Sequence, residues 1–283
     1  VVHDSLTRWT RWTRLNFDAG RDAHAWVVWS ITALVPALLA GGVWLLLDHF
    51  SILLALAWNV VVLYLTLGFR QFSHYFTDIR DALERGQEER ARTLLAQWRY
   101  LDASNLPRPE LLRQVIEHSL LAAHRHVFGV FFWFVVLSTL GFGPAGAVLY
   151  RMAEFAGRYW AFRSRSDGVP ANDRLTRLSI RLFALLDHVP ARLTAFGFAV
   201  VGNFEEAVNC WRRDAVLWES PNEGVILAAA AGAIGVQLGG REAPSPMAEP
   251  AGFFEDSGPN ELASEGSTTS ARTSPACPCA WTR

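Results

Sequence analysis

The sequence predicts an all-α, polytopic integral membrane protein with a cytoplasmic helical portion and a disordered C-terminal tail. Three observations predict it. Two charge-free apolar runs lie near the N-terminus, residues 26–47 and 52–69, each close to the ~20 residues that cross a hydrocarbon core. Beyond them, to residue 240, Arg-bearing stretches carry apolar residues at three- and four-residue spacing, the period of an amphipathic helix. Residues 241–283 are rich in Pro, Ser, Glu, Thr and Gly and lack any packing pattern.

Composition supports the same class. Hydrophobic residues make up 51% of the chain and charged residues only 19%, and the apolar excess lies in blocks. The net charge of −1 gives no field that would favour nucleic acid. Every basic residue is Arg. Of the three cysteines, Cys210 stands alone, and Cys277-Pro278-Cys279 has no second pair to complete a metal site. The chain starts at Val1 without a signal-peptide layout, and the expectation is that its start is cut and an upstream apolar segment is missing.

Residues 1–25 interleave Leu6, Trp9, Trp12 and Leu15 with Arg8, Arg11 and Arg14, as a helix lying in the membrane interface would. Residues 26–69 form a transmembrane hairpin around Asp48-His49. Pro36 and Gly41-Gly42 are tolerable inside a membrane helix, and Asn59 is expected to bond to a neighbouring helix. Residues 70–125 mix nine Arg with eight acids, as a solvated helical segment does; Gly86 breaks it, and Pro109 opens a further helix with Asn105 as its cap. Residues 126–240 are read as membrane-associated and re-entrant helices. The apolar run 127–149 has Gly141-Phe142-Gly143-Pro144 in its middle, and each half is shorter than a span, so a hairpin turning at Gly143-Pro144 is expected. Arg174 to Leu186 is an amphipathic helix, Pro190 starts another, and Asn203 with Glu206 opens one through Trp211 as a capping box.

The most informative stretch is Ser220-Pro221-Asn222-Glu223-Gly224, followed by an Ala/Gly-rich apolar run that stops at Gly239-Gly240. Ser220 sits at an N-cap, Pro221 at the first helical position, and Glu223 where it completes a capping box. Two readings are open: a well-capped buried helix, or an anion site that uses the free N–H groups and dipole of the helix start.

Ser-Pro-Asn-x-Gly before an Ala-rich helix ending in Leu238-Gly239-Gly240 resembles the C-terminal signature of the CobD/CbiB cobalamin-biosynthesis family. Leu67-Gly68-Phe69-Arg70, Ile116-Glu117, Phe132-Trp133, Gly143-Pro144-Ala145-Gly146 with Tyr150-Arg151, and Val189 to Thr194 follow the same family order. The resemblance implies amide ligation of adenosylcobyric acid with aminopropanol or its phosphate, using Mg and ATP. It implies a multi-pass protein of the bacterial inner membrane, with the lipid bilayer and a corrinoid intermediate as partners and no nucleic acid. On the matching positions it points to Ser220, Asn222, Gly224, Arg192, Glu117 and Arg151 as ligand-binding residues; no catalytic residue is assigned and no metal ligand.

The chain departs from the family pattern at oxygen-bearing positions. Leu120-Leu121-Ala122 and Arg125 stand where the family carries Ala-Glu-Asn and Asp, Met152-Ala153-Glu154-Phe155 replaces Asn-Thr-Leu-Asp, and Phe183-Ala184 replaces an Asp pair. Hard cations bind through oxygen, so these losses imply weakened ion binding and a doubtful ligase. In this middle region the chain is similar to the AmpE inner-membrane proteins, which implies a non-catalytic regulatory role as the alternative. A transporter finds no support, since neither clear span carries an internal charge. Glu117, His118, His124 and His126 do not all share one helix face, which argues against a metal site. Arg192 is either an anion ligand or an interfacial Arg paired with lipid or Asp187, and Glu117 either a surviving ligand or an exposed helix acid.

Overall fold

The computed structural model describes residues 8–10, 12–13, 22–67, 69–99, 107–166 and 173–239. Residues 241–283 with Cys277 and Cys279, and Leu6, Arg11, Arg14 and Leu15, for which the sequence also carries expectations, lie outside these. Among the described residues the chain is helical without a strand, and it is an all-α polytopic membrane protein. Helices α1 (Asp22–Phe50) and α2 (Ile52–Leu67) form the expected hairpin. Helices α3 (Phe69–Glu84), α4 (Glu88–Arg99) and α5 (Arg108–Ala123) follow. A π-helical turn, His124–Phe128, leads straight on into α6 (Gly129–Thr139). Helix α7 (Ala145–Ser166) returns beside α6, and α8 is Asp173–Val201. Helix α9 (Phe204–Asp214), a short 3-10 turn Ala215–Leu217, and α10 (Pro221–Ile234) complete the order.

Three stretches are long and apolar enough to cross a membrane: His24–Phe50, Arg108–Thr139 and Arg174–Val201. The shorter Ile52–Leu67 is also apolar. On α1 and α2, Leu38, Leu39, Leu46, Ile52, Leu53, Val60 and Tyr64 are all exposed. So continuous an apolar surface is unstable in water and suits lipid. On α8 the lipid-compatible strip is Leu185, Val189, Leu193, Phe196 and Val200.

Small residues set the helix spacing. Ala25, Ala33, Ala37 and Gly41 recur along α1, all four buried, and α7 lies along it through Met152, Ala153 and Ala156. Close backbone approach of this kind gives dispersion contacts that lipid tails cannot match. Trp9 packs on the same cluster beside Trp29 and Trp160, and stacks on Trp12 at 5.5 Å. A second core, Ile79, Ala82, Leu95, Leu111 and Val115, holds α3, α4 and α5 together, with Gly86 at the break as expected. A third joins Ala195 of α8 to Val225, Ala228 and Ala229 of α10.

Several sequence expectations are corrected. Pro190 does not start a helix; it lies inside the continuous α8. A proline removes the N–H that would bond four residues back. The carbonyl so released, that of Leu186, is taken by the Trp133 indole at 3.1 Å, which lets the helix run through. The two halves of 127–149 do meet in a turn at 140–144, but the first is continuous with α5 and therefore far longer than its apolar part. The side-chain oxygen of Asn59 is buried without a partner among the described residues; Trp58 makes the cross-helix bond instead, to the Ala40 carbonyl at 3.0 Å. The N-cap of α5 is Pro107, and Asn105 lies outside the described residues. Asn203 does cap α9, accepting from the Glu206 N–H at 3.3 Å. Helix α10 ends at Gly235, ahead of the Gly-Gly pair, because Gly235 takes the left-handed geometry of a helix C-cap without a Cβ clash and gives its N–H to the Ala231 carbonyl.

Candidate functional site

A helix wound with i→i+5 bonds carries one residue more than an α-turn, and such turns recur at functional sites. Here the Gly129 N–H reaches the His124 carbonyl. The widened turn sends three consecutive side chains to three neighbours: His124 to α8, Arg125 to α10 and His126 to α7.

His124 is fully buried between Asp187 Oδ1, 2.8 Å from its Nε2, and Thr194 Oγ1, 2.9 Å from its Nδ1. The Tyr150 hydroxyl donates to the same Asp187 Oδ1 at 2.7 Å. It gets there because Gly129 has no Cβ: a Cβ at that position would sit on the Tyr150 ring. Burial, and then the Asp187 carboxylate, push the Tyr150 phenol well above its ordinary range, so it stays a donor. An Asp187→Asn chain keeps the shape but loses the charge that both donors address. It is expected to lose about 1.5–3 kcal/mol of stability, read as a lower unfolding midpoint in detergent. An unchanged midpoint would contradict the arrangement.

One turn further along α7, Glu154 is buried beneath two guanidinium groups. Arg151 Nη1 donates to its Oε2 at 2.9 Å, and Arg158 Nε lies 2.5 Å from its Oε1. Burial alone would raise the Glu154 carboxyl; Arg158, then Arg151 and Arg125, outweigh it and hold it at about 2. Arg151 Nη1 also meets His126 Nδ1 at 2.7 Å. A guanidinium only donates, so Nδ1 accepts and the His126 proton sits on Nε2.

The start of α10 closes the site. Ser220 occupies the N-cap, yet its side chain makes no cap bond, and Glu223 does not complete a capping box because it pairs with Arg125. Buried Asn222 donates to the Ala184 carbonyl at 2.8 Å and accepts from Arg192 Nη1 at 3.2 Å, while the same nitrogen reaches the His188 carbonyl at 2.8 Å. Gly224 lies against the Ala215 carbonyl, where a Cβ would not fit. Glu117 is not an exposed acid. It is buried, accepts the Gly239 N–H at 2.8 Å and lies 3.6 Å from Arg113.

Of the residues read from sequence, Arg192 and Asn222 are in contact, Ser220 and Gly224 flank them, and Glu117 is tied to the same C-terminal stretch through Gly239. Arg151 belongs to the Glu154 cluster, and Arg125, paired with Glu223 and within electrostatic reach of Glu154, links the two halves. The sequence reading did not assign His124, Arg125, Tyr150, Glu154, Asp187 or Thr194 to a binding site. The Arg151, Glu154, Arg158 spacing was a local signal; the other partners lie 37 to 98 residues apart.

The profile of the CobD/CbiB protein family matches residues 3–256. The chain belongs to the CobD/CbiB family. It is 36% identical over 229 residues to the cobalamin biosynthesis protein CobD of Stutzerimonas stutzeri, covering 80% of this chain and 70% of that protein. To the protein of the same name from Chromobacterium violaceum it is 35% identical over 184 residues, 64% of this chain and 55% of that one. A third CobD, from Leptospira interrogans, is 26% identical over 189 residues, 56% of its length. The chain thus spans a little over half the length of the last two. No solved structure matches it.

The Mg implied by the family resemblance is a poor fit to these side chains. A hard cation needs carboxylate oxygens open to it. Each acid here is already engaged: Arg151 donates to Glu154 and Arg158 forms an ion pair with its other oxygen, His124 and Tyr150 donate to Asp187, Arg125 to Glu223, and the Gly239 N–H to Glu117. Among the described residues no three His, Cys, Asp or Glu gather as a metal group would require.

Proposed function

We propose that this chain is a multi-pass inner-membrane protein of cobalamin biosynthesis that holds an anionic, corrinoid-pathway intermediate at the start of α10. The observation that carries this reading is Arg192 fixed over Asn222 at a helix start whose N-cap side chain leaves the first-turn amides uncapped. A fixed guanidinium beside free N–H groups is suited to a phosphate or carboxylate. Pairing of the neighbouring Glu223 with Arg125 removes the repulsion an anion would otherwise meet.

The paired carboxylates favour a second reading, a non-catalytic regulatory protein of AmpE type. A growth test separates the two: complementation of a strain lacking the synthase, supplied with cobyric acid as sole corrinoid precursor. Growth supports a ligase; no growth at normal membrane expression supports regulation. In a growing strain, Arg192→Gln is expected to cut corrinoid amide formation by tenfold or more at unchanged protein level, since a lost charge-assisted bond is worth about 1.5–3 kcal/mol. Full activity in that variant would remove the anion from the start of α10.

A further inference from the structure

The chain doubles back after α10. Beyond the left-handed Gly235, the Val236 N–H turns to the Ala231 carbonyl at 3.0 Å, a bond that reverses a chain at a helix C-terminus. Gly239 then lies against the indole of Trp218, where a Cβ would stand 2.7 Å from Cζ2. The same indole lies on the first turn of α10, since a Cβ on Gly224 would stand 3.1 Å from its Cδ1. Residues 224–234 of the helix rise about 15 Å, and five extended residues reach at most about 18 Å, so 235–239 has the length to return to that turn. At Gly239 φ is 78°, so both backbone and space there call for glycine.

Glu117 of α5 fastens the returning segment. Its buried Oε1 accepts the Gly239 N–H at 2.8 Å, and Arg113 Nε lies 3.6 Å from the same oxygen. Eight residues on, roughly 12 Å along the same unbroken helical stretch, Arg125 pairs with Glu223 in the first turn of α10. That stretch thus holds the α10 start twice, directly through Arg125 and indirectly through Glu117, Gly239 and Trp218. An acid at a bound anion would repel it, and one serving a cation would need its oxygen open; Glu117 Oε1 is occupied by a backbone N–H instead. We propose that Glu117 is a positioning residue: it latches 236–239 onto Trp218 and so fixes the first turn of α10, acting as a hydrogen-bond acceptor and not as a charge at the ligand.

The latch stands on its own geometry; its effect on anion binding rests on the reading of Arg192 at the α10 start. The test is hydrogen–deuterium exchange of the full chain in detergent, followed in residues 220–224 and 236–239, with and without millimolar inorganic phosphate. Glu117→Ala should speed exchange in both segments about tenfold or more. Glu117→Gln keeps an acceptor oxygen, and Arg113 keeps Glu110 as counter-charge, so exchange should stay within about threefold of wild type. Gly239→Ala, at an exposed position, should loosen both segments as Glu117→Ala does, which keeps the test open if that variant does not fold. Phosphate should slow exchange at 220–224 in wild type and Glu117→Gln, and have no such effect in Arg192→Gln, whose 236–239 segment should exchange as in wild type. A wild type indifferent to phosphate counts against the anion at α10 alone, and the Ala–Gln comparison still decides the latch. Wild-type exchange in both Glu117→Ala and Gly239→Ala, or a Glu117→Gln chain as loosened as Glu117→Ala, would overturn the proposal.

Discussion

A Glu154→Gln chain is expected to be the least stable of the charge variants at the site, by about 3–5 kcal/mol. The carboxylate is buried, with Arg151 and Arg158 against its two oxygens, so removing its charge leaves those two cations beside each other without their shared counter-charge, and with Arg125 near. Gln keeps the volume, so the loss reports charge rather than packing. Thermal unfolding in detergent micelles measures it, and Glu154→Gln with Arg158→Gln should recover part of the loss. Wild-type stability in the single variant would mean that the cluster contributes nothing. The pH dependence has a definite sign. The folded carboxyl is held at about 2, below its ordinary 4.5. Its contribution is therefore complete above about pH 4.5 and is lost as pH falls from there toward 2.

Gly146→Ala should produce the other large effect, and its contrast with Gly42→Ala makes it specific. A Cβ on Gly146 would land on the Trp133 backbone carbonyl, so α6 and α7 would have to part. Overpacking of this kind costs about 1–3 kcal/mol, and more where backbone must move. Parting the helices also pulls Trp133 from the Leu186 carbonyl that Pro190 releases. At Gly42 and Gly197 a Cβ meets nothing within 4 Å. There Ala should stabilise its helix by roughly 0.5–1 kcal/mol. If the three substitutions shift the unfolding midpoint alike, the α6–α7 packing is wrong.

The membrane character was legible because it is a property of contiguous sequence: a run without charge needs no partner to be recognised. The helix start at Ser220 was legible for the same reason, and it led to Asn222 and Arg192. The inner polar network was not. His124 and Asp187 are joined across 63 residues, and Arg125 and Glu223 across 98, so no local spacing announces them. Arg125 and Glu154 drew notice only as departures from a family pattern, yet they stand in adjoining ion pairs, Arg125 with Glu223 and Glu154 with Arg151 and Arg158. The break at Pro190 was misjudged because its repair comes from Trp133, on another helix.

The π-turn has a consequence for how sequence length can vary here. Between the same two ends, i→i+5 winding stores one more residue than ordinary winding. The helix through His124–Phe128 therefore holds a surplus residue without rotating what comes after it. Losing one residue inside the turn would leave Gly129 beneath Tyr150 and the bilayer crossing in phase, while the fan of His124, Arg125 and His126 would fold shut. Scaffold and polar machinery are thus separable by a single-codon deletion, whereas the same deletion a turn later would swing the rest of α6 out of register.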